Sequence, residues 1–370
     1  MDQLLNPSML VLARDSRELT QSKLAGLMTV RTDGSPPVTQ GYVSKAESGA
    51  VAVTGERLAL FADVLGYPEE LLVLPGDVYG FGTACIHHRK RQSLSAPAVR
   101  RVHAYLNLAR IQMRRLLVST GVQPANAYFR FPLSAVDTAR DAAAEVRRRW
   151  GVPDGPVESV VALLEAAGGV VVPRETPSRA WDAVSQWPEG EAPVFLLNAA
   201  TPTDRQRFTL AHELGHMICH PHPVPEQEQQ ADEFAAEFLM PASQILDEMS
   251  SGLNIEQLGQ LKQRWKVSMA ALVRRAHDLA VISDWRYRSL NVELSSLGYR
   301  TDEPGPLKPE KPGLPSRAFR AWITQQGAGV DDLAARTLLT AAEFHEVFQS
   351  AGLEDQLVRD DCHHEGVERD

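Results

Sequence analysis

The chain has 370 residues, of which 44% are hydrophobic and 23% charged, and its formal net charge at pH 7 is −9. This length allows two or three domains with separate hydrophobic cores, and the negative charge argues against a general nucleic-acid coat. The three cysteines, Cys85, Cys219 and Cys362, lie far apart and predict no disulfide framework, as expected for a cytoplasmic protein. We expect neither a signal peptide nor a transmembrane helix, because no suitable apolar run is present.

Residues 8–75 predict a compact all-α unit. Thr20 is placed to cap a helix over 21–28, and Thr39 is placed to cap the next helix, which Gly49 ends. A further helix lies in "TGERLALFADVLG". Its inward face holds Leu58, Phe61, Ala62 and Leu65.

The segments "LTQSKLA" and "VTQGYVSKAESG" resemble the two central helices of a lambda-repressor-like (XRE-type) helix-turn-helix domain, although "TVRTDGSPP" makes the turn longer than the family pattern. The resemblance implies a helix-turn-helix domain over residues 1–75. Its six basic and nine acidic residues indicate that phosphate contacts come from elsewhere or that the domain binds protein. If it reads DNA, Gln40 is the best base-reading candidate. The residues expected at the groove are Gln21, Thr39, Gln40, Tyr42, Ser44 and Lys45.

A basic segment follows this domain. Between Val78 and Val136 there is no Asp or Glu, and a long helix is predicted over 97–120. We interpret residues 76–130 as a solvated helical linker, or residues 89–115 as a contact surface for DNA phosphates. The nine basic residues are Arg89, Lys90, Arg91, Arg100, Arg101, Arg110, Arg114, Arg115 and Arg130.

Residues 131–250 have the pattern of an α+β domain. Two helices, in "DTARDAAAEVRRRW" and "GPVESVVALLEAAG", precede a buried strand, "GVVVP". A hairpin follows, with "DAVSQW" and "APVFLLN" joined at "PEGE". We expect "APVFLLN" to form an exposed sheet edge that pairs with an extended substrate.

The next helix, in "TLAHELGHMI", contains an H-E-x-x-H motif. His212 and His216 are one helical turn apart, so both can bind one metal ion from the same face. Glu213 lies one step round the helix and is placed to hold a metal-bound water. Gly215 is expected to leave space beside the metal.

Two segments offer a third metal ligand. His222 has the metzincin spacing, but Cys219 replaces the glycine that this pattern requires. In the helix predicted for "EQEQQADEFAAEFLMP", Glu228 and Asp232 have the arrangement of a gluzincin ligand and the acid that orients a ligand histidine. We favour Glu228 as the ligand. The alternative ligands on the same helix are Glu233 and Glu237.

"RFTLAHELGH" followed by "EQQADEFAAEFLMP" resembles the ImmA/IrrE-type metallopeptidases, a zincin family with bacterial and phage members. This resemblance implies a zinc (Zn²⁺) endopeptidase that cleaves a repressor-type regulatory protein, in stress response or mobile-element induction. It implies that His212, His216 and Glu228 bind zinc and that Glu213 is the catalytic base, with Asp232 supporting a ligand. The alternative is a DNA-binding transcriptional regulator whose zinc domain is a sensor without turnover.

The rest of the chain predicts helices and a linker. Residues 251–301 form a helical extension, whose two helices joined at "KVS" are either a packed hairpin or a second helix-turn-helix. Five prolines in 302–315 predict a semi-rigid linker, and 316–370 predict short helices with a polar tail. The predicted fold class is therefore multidomain: an all-α helix-turn-helix domain, a central zincin-like α+β metallopeptidase domain and a small helical C-terminal region.

Overall fold

The computed structural model of the chain divides into two compact units. Unit 1 comprises the described residues of 1–82, 95–123 and 313–370, and unit 2 comprises those of 124–312. In the described part of the chain, no helix is both long and apolar enough to cross a membrane. The structure describes residues 4–30, 37–75, 95–123, 125, 127–134, 136–174, 181–249, 252–326, 330–340 and 343–344.

The described elements are sixteen α-helices, three strands and one 3₁₀ turn, Leu246–Glu248. The helices are α1 (Pro7–Ser16), α2 (Gln21–Val30), α3 (Gln40–Glu47), α4 (Gly55–Leu65), α5 (Glu69–Leu72), α6 (Ala96–Thr120), α7 (Ala139–Arg149), α8 (Val160–Ala166), α9 (Thr203–Cys219), α10 (Gln227–Leu239), α11 (Ala242–Ile245), α12 (Ile255–Trp265), α13 (Met269–Asp278), α14 (Asp284–Ser296), α15 (Leu314–Gln326) and α16 (Val330–Thr337). The strands are β1 (Val170–Arg174), β2 (Ala183–Gln186) and β3 (Val194–Asn198).

Helices α2 and α3 of unit 1 begin directly after the residues predicted to cap them. The Thr20 hydroxyl accepts a hydrogen bond from the Lys23 backbone at 3.1 Å, and the Thr39 side chain caps α3. Gly49 has a φ of 72°, which favours glycine at the position where the chain leaves α3. The inward face predicted for α4 is buried as expected. Most of the interruption "TDGSPP" lies outside the described residues.

Helix α6 is part of the core of unit 1. Ala104 and Leu108 share one hydrophobic cluster with side chains of α1 to α5, and α15 and α16 pack against α6. Several basic residues of the segment have partners inside unit 1: Arg101 pairs with Glu18 at 2.7 Å, and Arg110 is buried. Helix α6 is therefore an integral part of unit 1, whereas the composition predicted either a solvated linker over 76–130 or a phosphate-contact surface over 89–115. Arg89, Lys90 and Arg91 lie outside the described residues.

The sheet of unit 2 has the strand order β1-β3-β2, with β3 parallel to β1 and antiparallel to β2. The hairpin of β2 and β3 was predicted from its turn, but the pairing of β3 with β1 was not. Because β3 is hydrogen-bonded on both sides, the expectation that "APVFLLN" forms the sheet edge is wrong. Within the described ranges, β2 is the antiparallel edge strand.

One hydrophobic core joins the sheet to the helices of unit 2. It contains Leu164 of α8, Phe195 of β3, Leu214 of α9 and Phe238 of α10. Trp265, at the end of α12, belongs to the same core, as do apolar side chains of α13 and α14. Helices α12 and α13 therefore pack against each other in the core of unit 2, which is one of the two arrangements that the sequence left open for the helical extension over 251–301.

The proline-rich residues 302–312, which we call the strap, are fastened to unit 2 by two glutamates. The buried ammonium of Lys262 donates to Asp204 at 2.5 Å and to Glu303 at 2.8 Å. The buried guanidinium of Arg207 pairs with Glu310, which also accepts a hydrogen bond from the Val161 backbone at 2.8 Å. A buried cation requires such partners. The strap is therefore bound to unit 2, whereas the proline content predicted a semi-rigid linker over 302–315.

Replacement of Glu310 by alanine is expected to lower the free energy of unfolding by about 3 kcal/mol, because it leaves the Arg207 charge buried without its counter-ion. Urea unfolding of the metal-free protein measures this change. Glu293→Gln, at an exposed position of α14, is the control and should change stability by less than about 0.5 kcal/mol. Equal stability of the two variants would show that the strap does not stabilise unit 2.

Candidate metal centre

Two buried histidines of α9 point their ring nitrogens at one place. His212 and His216 are one turn apart on the helix, and their Nε2 atoms are 3.0 Å from each other. This spacing follows from the helical repeat, which puts residues i and i+4 on the same face. The Nε2 lone pairs of the two histidines can therefore bind one metal ion.

Glu228, near the start of α10, completes a group of three possible ligands. Its Oε1 lies 3.5 Å from His216 Nε2 and its Oε2 lies 3.7 Å from His212 Nε2. Ligand atoms about 2.1 Å from one tetrahedral ion are roughly 3.4 Å apart, so the three separations fit a shared ion. Two imidazoles and a carboxylate are also a donor set that zinc accepts. The Glu228 side chain is 29% exposed, so the ligand group can be reached from solvent.

Gly215 determines how closely α10 approaches α9. A Cβ atom at this position would lie 3.1 Å from Cβ, Cγ and Cδ1 of Phe234, which is closer than an ordinary van der Waals contact. The space at Gly215 is therefore filled by Phe234 and not left beside the metal, as the sequence suggested. The close contact brings the first turns of α10, with Glu228, to the histidine face of α9.

Asp232 holds the ring of His212. Its Oδ1 is 2.8 Å from His212 Nδ1, and because a carboxylate only accepts, the ring donates from Nδ1 and turns Nε2 toward the ligand group. Burial lowers the pKa of His212, but hydrogen bonds to Asp232 and Glu228 raise it by a larger amount. The resulting pKa is about 9. In the metal-free protein this histidine is consequently protonated at neutral pH.

Glu213 is fully buried beside the two histidines. Its Oε2 accepts a hydrogen bond from Ser185 Oγ at 2.6 Å, whereas Oε1 has no partner within the described residues. Burial raises the pKa of Glu213 to about 8, against the opposing effects of His212 and the Ser185 hydroxyl. The group can therefore exchange a proton near neutral pH, as a general base requires.

Sequence reasoning missed Ser185. It lies on β2, a strand in which every residue is buried, and its side chain faces the motif helix. A hydroxyl at a buried strand position needs a partner, so the position itself was a signal. The identity of that partner depends on the packing of β2 against α9.

His220 and Gln230 were missed as well. His220 Nδ1 lies 3.1 Å from His216 Nδ1, and His220 Nε2 lies 2.8 Å from Gln230 Oε1. Burial lowers the pKa of His220, which favours its neutral form. The two histidines and the amide thus form a line of polar contacts that starts at a candidate ligand.

The other candidate ligands lie outside this group. His222 is exposed, and Glu233 is partly buried and accepts a hydrogen bond from Gln229. Glu237 pairs with the buried Arg275 and accepts from a backbone amide at the start of α11. Burial raises the pKa of Cys219 to about 12, so its thiol is protonated.

The candidate DNA-reading residues surround the contact between α2 and α3 in unit 1. Gln40 donates to Gln21 at 2.6 Å, and Gln21 donates to Glu47 at 2.7 Å. The Tyr42 ring stacks on Phe61, with ring centroids 6.3 Å apart. Exposed side chains on this surface are Thr39, Gln40 and Lys45, and partly buried ones are Gln21, Tyr42 and Ser44.

Residues 164–277 match the family model of the IrrE N-terminal-like domain, Peptidase M78. The matched residues run from α8 to α13 and include the sheet, the H-E-x-x-H helix and the helix with Glu228 and Asp232. No curated protein matches the chain. The match supports a metallopeptidase-type domain in unit 2, and no residue of unit 1 lies within it.

The zinc affinity of the full chain is expected to rise about tenfold per pH unit between pH 7 and 9 and then to level off. Zinc must displace the proton that His212 retains up to its pKa of about 9. Competition with a chelator of known affinity, at a series of pH values, measures this slope. Asp232→Asn removes a carboxylate that raises this pKa, so its curve should level off at lower pH. A flat wild-type curve would contradict the assignment of His212 as a ligand.

Proposed function

We propose that the chain is a zinc-dependent endopeptidase that cleaves a repressor-type regulatory protein. One observation supports this most directly: three possible metal ligands, His212, His216 and Glu228, converge beside the buried carboxylate of Glu213. The match of residues 164–277 to a peptidase family agrees with this chemistry.

His212, His216 and Glu228 would hold the ion. A bound zinc ion supplies Lewis acidity for a peptide carbonyl and lowers the pKa of a water molecule. Structural zinc sites are usually closed by four cysteine or histidine ligands. Within the described residues the group has three side chains, one of them a carboxylate, which favours a catalytic site.

Glu213 would act as the general base and then as the general acid. Its Oε1 has no partner in the described part of the chain and is available to take a proton from the attacking water. The same atom would later pass that proton to the leaving amine. Ser185 binds the other carboxylate oxygen and so prevents the group from rotating away.

We propose β2 as the strand that binds the substrate. It is the antiparallel edge of the described sheet, and Ser185 connects it directly to Glu213. An extended peptide that adds to this edge would form backbone hydrogen bonds with Ala183–Gln186. The scissile bond would then lie near the side chains that bind the metal.

Unit 1 would select the protein on which unit 2 acts. We propose that the exposed residues of α3, including Gln40 and Lys45, contact DNA or the repressor itself. The net charge of residues 1–75, the ion pair of Arg101 with Glu18 and the burial of Arg110 favour a protein partner over DNA. A mobility-shift assay at low salt distinguishes the two. The regulatory setting expected from the family resemblance is stress response or mobile-element induction.

Replacement of Glu213 by glutamine is expected to reduce cleavage about 10²–10⁴-fold, because the base is lost while the amide keeps the shape of the side chain. The assay incubates zinc-loaded wild type and variant with repressor-type proteins encoded by neighbouring genes and with a peptide library. Zinc content, measured in parallel, should stay equal. Equal cleavage by both proteins would contradict the role of Glu213. A zinc-loaded wild type that cleaves neither set would favour a sensor without turnover.

Replacement of Ser185 by alanine is expected to lower kcat/KM about tenfold and to move the acidic limb of its pH profile upward by about one unit. The hydroxyl stabilises the ionised form of Glu213, so its loss raises the pKa of that carboxyl. Ser185→Thr keeps a hydroxyl and is the control. An unchanged pH profile for the alanine variant would rule out this role for Ser185.

A further inference from the structure

Two residues outside the ligand group, His220 and Gln230, are in line with His216. We propose that they are positioning residues that determine which ring nitrogen of His216 carries the proton, and thereby the affinity of the site for metal. This inference rests on the proposed function, since it concerns the same metal site.

The contacts form a chain with a defined direction. His216 Nδ1 is 3.1 Å from His220 Nδ1, and His220 Nε2 is 2.8 Å from Gln230 Oε1. Both histidines are buried. In the described structure the ring nitrogens of His220 have only these two hydrogen-bond partners. A ring proton of His220 therefore points either to His216 or to Gln230.

The amide oxygen of Gln230 can only accept a hydrogen bond. This determines which ring nitrogen of His220 and of His216 carries the proton. His220 donates to it from Nε2, and the neutral ring is left with a lone pair on Nδ1. That lone pair accepts the proton on Nδ1 of His216, whose Nε2 then carries a lone pair directed at His212 and Glu228. This is the tautomer in which His216 can bind a metal.

The opposite arrangement would block the site. If Nδ1 of His220 carried the proton, it would donate to Nδ1 of His216, and the proton of the His216 ring would move to Nε2. The nitrogen that faces the ligand group would then be protonated, and a metal ion would first have to displace that proton. The acceptor at Gln230 therefore excludes an unfavourable tautomer two side chains away.

Helix α10 thus acts on both histidines. Asp232 accepts from Nδ1 of His212 directly, and Gln230 reaches Nδ1 of His216 through His220. Glu228, on the same helix, supplies the third ligand atom. His212 donates to a carboxylate, that of Asp232, whereas the contacts of His216 lead through His220 to the neutral amide of Gln230.

Zinc affinity of the full chain tests this assignment, measured by chelator competition with zinc alone. We expect His220→Leu to bind zinc about 10–100-fold more weakly and Gln230→Leu about tenfold more weakly. The matched controls are His222→Leu and Gln229→Leu, exposed neighbours that should stay within twofold of wild type. Gln230 is partly exposed, so the Gln230→Leu variant tests the row of hydrogen bonds even if His220→Leu fails to fold.

Long-range ¹H–¹⁵N correlation spectra of the histidine rings report the protons directly. In the zinc-loaded wild type, we expect a proton on Nδ1 of His216 and on Nε2 of His220. A purely structural role for His220 would not require these positions. Wild-type affinity in both leucine variants, or a proton on Nδ1 of His220, would overturn the inference. A wild type that binds no zinc would instead overturn the proposed function, so the two failures are distinguishable.

Discussion

The metal centre depends on the close contact between Gly215 of α9 and Phe234 of α10. A Cβ atom on residue 215 would lie 3.1 Å from three atoms of Phe234, so a larger residue there requires the Phe234 side chain to give way by a few tenths of an ångström. Phe234 lies on the same helix as Glu228 and Asp232, so the contact at Gly215 is coupled to the positions of a candidate ligand and of the partner of His212. Ligands, their supporting groups and the helix contact are therefore parts of one packing arrangement.

Buried ion pairs hold α9 in this arrangement. Asp204 and Arg207, in the first half of α9, pair with Lys262 and Glu310, and each pair also binds neighbouring backbone or carboxylate groups. A buried ion without its partner is costly, so α9 cannot shift without disrupting several contacts at once. The strap thereby supports a helix whose second half carries the histidines, which need supporting contacts to keep a productive geometry.

Local features of the chain could be predicted, whereas contacts between elements could not. The caps at Thr20 and Thr39 were correct because a capping side chain binds a backbone amide only a few residues away. The edge assignment of β3 failed because β1 precedes it by some twenty residues and their pairing depends on the core. The proline-rich segment was misjudged for a similar reason, since the partners of Glu310 lie 103 and 149 residues away in sequence.

The sequence by itself determined the histidine pair, because the helical period alone places His212 and His216 on one face and Glu213 beside them. It also indicated Glu228 and Asp232 through their spacing, but left Glu233 and Glu237 open as alternative ligands. Only the tertiary structure decided that Glu228 lies nearest the two Nε2 atoms, and it alone brought Ser185, His220 and Gln230 into the site. Spacing determines which residues share a face of one helix, whereas contacts between elements depend on how the whole core packs.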